Sequence, residues 1–320
     1  HVNPIGGGAR NDFGAYYGSQ VLPEQKGDIS AFDPGKISDQ FRIGGDFRFN
    51  MDSSSSEQEE NDSQSFNTQN GQLYFSIQPK NSRFGLYLDQ QIAPGSAESR
   101  EAYVLTKLSG NNYLKVGKMM MPYGIRIEDD SAFVRQASQM NFDNSDNGVE
   151  LGLENVAVSN GTSSATNDDE NFQYLVRAEY VDKHWRLGSS VLLNDSELGE
   201  RNMFNVFGGF SVYGYTVLAE WDRIEDESVT NSLGNKVVQT AGLLELNKEV
   251  SPGYNLKLTT EFLDPDEDID ENQRTRHSLL IEYTPFANVQ LRGGVRKGED
   301  IPQREIGNFT NLFLQLHMYY

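Results

Sequence analysis

The chain has 320 residues, 37% of them hydrophobic and 11% aromatic, with 30 glycines and no cysteine. Its 27 basic and 47 acidic residues leave a formal net charge of -20, which excludes a nucleic-acid footprint and a polybasic membrane anchor. Without cysteine there is no disulfide, thiolate nucleophile or cysteine-based metal site, and no run approaches the roughly 18 apolar residues of a membrane-crossing helix.

Residues 1–39 carry no sustained periodicity; "NPIGGGAR" and "FDPGKISD" are punctuated by Gly and Pro, so this part is expected to be an N-terminal extension or plug-like segment. The sequence opens on His1, with no apolar leader, and is read as a mature or trimmed product from which a secretion signal has been removed. From Gln40 the pattern changes to alternation with a period of two, the signature of strands. In "QFRIGGDFRFNM", Phe41, Ile43, Phe47, Phe49 and Met51 share one face, and Arg42, Asp46, Arg48 and Asn50 share the other. Charges of both signs on that second face suit a watery interior and not a dry core.

After the acidic loop "DSSSSEQEENDSQS", "NGQLYFSIQ" and "RFGLYLDQ" form a hairpin through "PKNS". "EAYVLTKL" and "YLKVGKMM" follow, the first with its alternation blurred by Val104 next to Leu105. Residues 121–147 are the longest mid-chain break, with a short helix expected around Ser131–Met140, and are the best candidate for a loop folded into a barrel mouth. In "GVELGLENVAVSN" the apolar positions slip from odd (Val149, Leu151, Leu153) to even (Val156, Val158), so a bulge or tight turn falls near Glu154–Asn155. From Phe172 onward the pattern is clean, through "FQYLVRAEY", "WRLGSSVLL", "NMFNVFGGF", "YTVLAEWD", "VVQTAGLLEL", "YNLKLTTEF", "RHSLLIEY" and "VQLRGGVR". The last stretch, "NFTNLFLQLHMYY", places Leu312, Leu314, Leu316, Met318 and Tyr320 on one face and Asn311, Phe313, Gln315, His317 and Tyr319 on the other.

Short turns, near 80, 110, 182, 213, 251 and 286, alternate with longer loops at 52–67, 91–98, 121–147, 160–170, 195–201, 223–236, 263–274 and 298–306. That asymmetry is the pattern of an outer-membrane barrel, short turns on one side and long loops on the other. Because 121–147 and 160–170 both read as outer loops, the chain has to descend and return between them. Two short strands meeting near Glu154–Asn155 achieve this and one cannot. The expected fold is therefore all-β, a transmembrane antiparallel barrel over residues 40–320 with 16 strands, 14 or 18 being the neighbouring alternatives. The terminal strand is expected to close on the strand that starts at Gln40. Aromatics near strand ends, among them Tyr180, Trp185, Trp221, Tyr254, Tyr283 and Tyr320, fit the interfacial girdles of such a wall. A large soluble sandwich would explain the alternation equally well, but not the charges in mid-strand.

"YLKVGKMMMPYGIRIED", followed by "NGVELGLE" and "VAVSNGT", resembles the phosphate-selective porin O/P family, in which a "vGxfxxPfG" strand end precedes a long loop and a Gly-containing strand. The matching positions are Val116, Gly117, Lys118, Pro122, Tyr123 and Gly124, then Gly148, Val149, Asn160 and Gly161. The resemblance implies a 16-stranded outer-membrane channel, commonly a homotrimer. The family's phosphate-selective members line the constriction with an arginine and lysine ladder, whereas this chain is acidic. The resemblance therefore carries the fold and the channel role, not the substrate.

A polar interior admits water, so the expected function is passive diffusion of small hydrophilic solutes or ions across the outer membrane of a Gram-negative bacterium. The lumen candidates are Arg42, Asp46, Arg48, Lys115 and Arg177 on strands, with Arg126, Glu128, Asp129, Asp130 and Arg135 on the 121–147 loop. A rival reading makes the barrel a structural sheath for a periplasmic or surface protein partner, such as a separate electron-carrier chain. An enzyme is not expected, because the four histidines are widely spaced and only His277 sits where a wall-mounted hydrolase would need it. No cofactor is implied. Asp264, Asp266, Asp268 and Asp270 put hard oxygen ligands at alternate positions of an outer loop, which could bind calcium and bridge to lipopolysaccharide.

Overall fold

The computed structural model describes residues 40–56, 62–109, 112–125, 127, 129, 131–140, 144–152, 156–159, 171–182, 184–197, 199–286, 288–300 and 307–319, with backbone alone for 42, 156–159 and 286. Sixteen strands run through them. The first eight are β1 (Phe41–Ser56), β2 (Ser63–Ile77), β3 (Phe84–Ala93), β4 (Glu98–Lys107), β5 (Tyr113–Met119), β6 (Asp146–Leu151), β7 (Val156–Ser159) and β8 (Gln173–Val181). The second eight are β9 (Trp185–Ser196), β10 (Gly199–Val212), β11 (Tyr215–Thr230), β12 (Lys236–Ser251), β13 (Tyr254–Asp264), β14 (Arg274–Phe286), β15 (Val289–Asp300) and β16 (Phe309–Tyr319). Between β5 and β6 lies a short helix, α1 (Phe133–Ser138).

Each strand pairs antiparallel with its neighbours in sequence, and β16 returns to β1 with Phe47 opposite Met318 and Phe49 opposite Leu316, closing the barrel. Closure leaves no edge strand, so backbone donors and acceptors are used between neighbours all the way round. The slip read in "GVELGLENVAVSN" is a hairpin: β6 and β7 pair through Leu151–Val156 and Val149–Val158, which makes the count even. Tyr320 lies outside the described residues, as do residues 1–39 and the Glu154–Asn155 turn.

The alternation sorts side chains as the barrel requires. On β16, Leu312 and Leu314 point outward with 58% and 62% of their surface exposed, while Gln315 and His317 point inward and are buried. On β1, Phe47, Phe49 and Met51 are outside and Asp46, Arg48 and Asn50 inside. A continuous exposed apolar surface of this kind is stable against lipid and not against water. Aromatics cluster outside at the short-turn end: Tyr180 against Trp185 at 4.9 Å, and Tyr254 stacked on Tyr283 at 4.3 Å. Among the described residues no helix is long and apolar enough to cross a membrane.

Several stretches expected as loops are strand. β11 and β12 stay in register as far as Asp226–Val237 and meet again at Thr230–Lys236, so the 223–236 loop shrinks to a turn. Charge misleads here: the acidic side chains stand outside the apolar band, where they face water while the backbone ladder continues. Lys236 Nζ lies 2.7 Å from Glu225, and Arg223 Nη1 2.8 Å from Glu267, across these extensions. The loops at 195–201 and 298–306 are shortened likewise, β10 starting at Gly199 and β15 running to Asp300.

Candidate functional site: an inserted loop on a polar inner wall

β5, β6 and β7 are the shortest strands, of 7, 6 and 4 residues. Where the wall is low, the chain leaves β5 at Met119 and packs across the inside of the barrel. Gly117 makes the departure possible: its φ is +135°, and a Cβ there would sit 2.3 Å from the Ala102 carbonyl oxygen.

The inserted segment is apolar on one side. Met121, Tyr123, Ile125, Ile127, Phe133, Val134, Ala137 and Met140 form one buried cluster with the inward side chains Leu192, Met203, Phe207, Ile224, Ala241, Leu243 and Leu263 of β9–β13. Burying apolar residues on both partners is worth roughly 1.5–3 kcal/mol per large side chain, enough to fix a loop against one wall.

Polar contacts set its register. Three inward glutamates each accept one loop amide: Glu101 from Met120 at 3.0 Å, Glu220 from Ile125 at 3.0 Å and Glu261 from Phe133 at 2.9 Å. Glu220 also receives the Arg135 guanidinium at 2.5 Å, with both side chains almost fully buried, and the Asn205 amide at 3.1 Å. Gly124 takes φ +60° directly over this cluster, its amide donating to Ser190 Oγ at 3.1 Å, and a Cβ there would fall 1.9 Å from Glu220 Oε1. That is the physical content of the "PYG" sequence: only glycine lets the backbone approach the carboxylate.

The arginines complete the fastening. Arg276 chelates Glu261 at 2.6 and 2.8 Å, donates to the Ser131 carbonyl at 2.7 Å and covers the Phe133 ring at 4.6 Å. Arg296 reaches Asp129 at 2.5 Å and Ser131 Oγ at 3.1 Å. Arg201 donates to the carbonyls of Ala137 and Ser138 at 3.0 and 3.2 Å, satisfying the end of α1. Partial burial pushes the Asp129 carboxyl up, but the Arg296 and Arg276 guanidiniums outweigh it and hold the group below the usual carboxylate range.

Of the residues read from the sequence, Asp46 lies inside and binds His317 Nε2 at 2.7 Å, Asn70 at 2.9 Å and Arg48 at 3.1 Å. Lys115 lies inside on Glu150 at 3.0 Å, and Arg177 inside on Glu179 at 2.7 Å and the Gly124 carbonyl at 3.1 Å. Asp129 and Arg135 are the two loop candidates that fasten it to the wall. Arg126, Glu128 and Asp130 lie outside the described residues, as does the side chain of Arg42. Inner-wall residues outside that set prove equally central: Glu101, Glu220 and Glu261 as loop acceptors, with Arg276, Arg296 and Arg201 as donors. Their sequence signal is a charge on the inward parity of an otherwise apolar strand, as in "LAEWD" and "TTEFL".

The acidic loop does not gather its ligands. Asp264 and Asp266 accept the amides of Asp266 and Asp268 at 3.2 Å, and Asp268 accepts from Asn235 at 3.0 Å. No group of three or more acidic or histidine side chains is arranged to hold a metal among the described residues. His277 points outward and meets Thr260 Oγ1 at 3.2 Å.

A closed 16-stranded barrel with a polar inner face and a loop packed inside it has the fold of the outer-membrane porins. Among solved structures, the chain is similar to OprB of Pseudomonas putida, with a TM-score of 0.70 and 8% identity over 88% of this chain and 94% of that one. The outer membrane channel DcaP of Acinetobacter baumannii gives 0.65 and 14% over 88% and 97%. OmpT of Vibrio cholerae, in a trimer form, gives 0.64 and 11% over 88% and 100%. No protein-family profile matches the chain, and no curated protein matches it in sequence. The likeness is one of fold, to outer-membrane porins in general, and does not single out the phosphate-selective O/P family.

Proposed function

We propose that this protein is an outer-membrane channel of a Gram-negative bacterium through which small hydrophilic solutes or ions diffuse. The observation that carries the reading is the inserted loop, fastened by buried glutamates and arginines inside a closed wall whose inner face is otherwise polar. A wall alone needs no such device; a passage that sieves does. Inward charges of both signs, as in the Asp46–Arg48, Lys115–Glu150 and Arg177–Glu179 pairs, give a local field that orients polar solutes without a ring of one sign.

In this reading Arg42, Asp46, Arg48, Lys115 and Arg177 line the passage, and the loop carrying Arg126, Glu128, Asp129, Asp130 and Arg135 narrows it. Residues 40–320 make one domain, with 1–39 a separate extension. The "PYG" strand end and the role of Gly124 support kinship with the O/P-like porins at the level of the loop, with the solute left open. A homotrimer in outer-membrane lipid is the assembly we assign, by analogy with the trimer form of the Vibrio cholerae protein. Refolded protein in planar bilayers is expected to open discrete, ohmic conductance steps, and to admit small sugars in liposome swelling. A correctly folded barrel that passes neither ions nor sugars would overturn the reading.

A further inference from the structure

The inner wall carries a second feature beside the first anchor of the loop. On β3 and β4, Asp89 and Glu101 stand directly opposite each other on the inward face. Asp89 is 0% exposed and neither of its carboxylate oxygens has a hydrogen-bond partner. Glu101 is 1% exposed; its Oε1 accepts the Met120 amide, and its Oε2 is unpartnered. Two residues before Asp89 on the same face, Tyr87 is 8% exposed, and its hydroxyl too has no partner. Tyr87 lies in the electrostatic field of both carboxylates, and its ring packs on Tyr103 at 5.2 Å.

Four buried oxygens without a hydrogen-bond partner thus lie on neighbouring inward positions, and of the basic groups around them only Arg100 acts on Asp89, one positive charge set against two carboxylates. Arg100 Nε donates to Gln91 at 2.7 Å, Lys115 holds Glu150 at 3.0 Å, and Lys118 donates to the Ser99 carbonyl at 2.7 Å. Directly opposed buried carboxylates cannot both stay ionised without a counter-charge. A single shared proton would join one oxygen of each acid and leave the second Asp89 oxygen and the tyrosine hydroxyl as they are. A hard cation can be coordinated by all four and supplies the positive charge that a single guanidinium does not, with water completing its shell.

We propose that Asp89, Glu101 and Tyr87 form a binding site for a calcium-class divalent cation on the inner wall, at the root of the inserted loop. Through Glu101 the ion would also steady the amide that starts the loop, so occupancy and loop anchoring are coupled. This site is distinct from the outer acidic loop, where Asp264 and Asp266 accept backbone amides and Asp268 the Asn235 side chain.

Terbium, a calcium substitute excited through nearby tyrosines, tests the proposal on the folded full-length barrel in detergent. To silence weak surface binding, the background variant carries Asp264→Asn, Asp266→Asn and Asp268→Asn. Tyrosine-sensitised terbium emission is expected in that background, displaced by calcium and not by potassium. It should fall at least tenfold in affinity in Asp89→Asn and lose intensity in Tyr87→Phe. Calcium should raise the unfolding temperature of the background protein and leave that of Asp89→Asn unmoved; if Asp89→Asn does not fold, Glu101→Gln, which keeps an oxygen for Met120, serves in its place. Emission indifferent to both substitutions would overturn the site. So would an Asp89→Asn protein that is more stable in chelator than its parent, with neither responding to calcium, since that is the behaviour of a pair sharing a proton. None of these readouts requires conductance, so a failed channel assay and a failed cation site remain separable.

Discussion

The two halves of the inner wall are built on different principles. From β9 to β13 the inward face sets Leu192, Met203, Phe207, Ile224, Ala241, Leu243 and Leu263 among polar groups such as Asn205, Glu220 and Glu261, and the apolar ones pack in one cluster with the inserted loop. From β14 round to β2 it presents mainly Glu282, Arg292, Gln315, His317, Asp46, Arg48, Asn50, Asn70 and Gln72, joined to one another by hydrogen bonds and ion pairs. An apolar side chain facing a watery lumen is unfavourable unless something covers it. The apolar residues are therefore the landing surface for the loop, and the polar residues of the other side, themselves mostly buried, are satisfied by one another. The loop thus sets a side that it covers apart from a side held together by its own polar network.

The sharpest way to break this division is to remove Arg135. Arg135→Ala leaves Glu220 buried without its guanidinium, and losing one member of such a pair costs about 3–5 kcal/mol. We expect the loop to lift, seen as protease cleavage within 121–140 and a several-fold rise in single-channel conductance. A second comparison sets one wall against the other. Leu192→Ala under the loop should cost about 2–5 kcal/mol in urea unfolding, as for other buried leucines. Gln72→Ala in the polar network should cost about 1 kcal/mol, the value of a hydrogen-bonded polar group. Equal costs would mean that the two sides do not differ as described.

Gly124→Val comes next, at about 2 kcal/mol for a branched residue in the left-handed region, before the contact with Glu220 is counted. Loop cleavage should rise as in Arg135→Ala, while the barrel's heat-modifiable mobility on gels stays unchanged. The smallest effect belongs to Arg296→Ala, because Asp129 is 39% exposed at its side chain and such pairs contribute under about 1 kcal/mol. Asp129 also fixes the sign of a pH dependence. Its folded-state pKa is depressed, so its anchoring is fully present above the unfolded value of about 3.9 and is lost only as pH falls through the lower folded value. Loop cleavage in wild type should stay flat from neutral pH to about pH 4. Asp129→Asn should show slightly raised cleavage throughout that range.

Much of the wall was legible in the sequence because a barrel asks one question of each strand residue, in or out, and alternation answers it. Parity even resolved the β6–β7 hairpin, since Val149, Leu151, Val156 and Val158 could not share one strand. The loop's landing surface was harder to read, although its trace is present. "VLL" at 191–193, "GLLEL" at 242–246 and Val104–Leu105 put apolar residues on consecutive positions, one outward and one inward. Read strand by strand, the first two pass within a clean pattern and the third looks like blurred alternation; all three mark inward residues that another segment covers. Loop lengths were overestimated where charged hairpins continue their ladders above the apolar band, because composition reports solvent and not hydrogen bonding. Partner choices such as Glu220 with Arg135, 85 residues apart, depend on closure of the whole barrel and leave no local signal.

The central claim is that the loop narrows a water-filled passage, and single-channel recording of wild type beside Arg135→Ala tests it most directly. The account predicts discrete steps from both proteins, with the variant's steps several-fold larger. Silent membranes from both folded barrels, or identical steps once protease accessibility has shown the loop released, would contradict it.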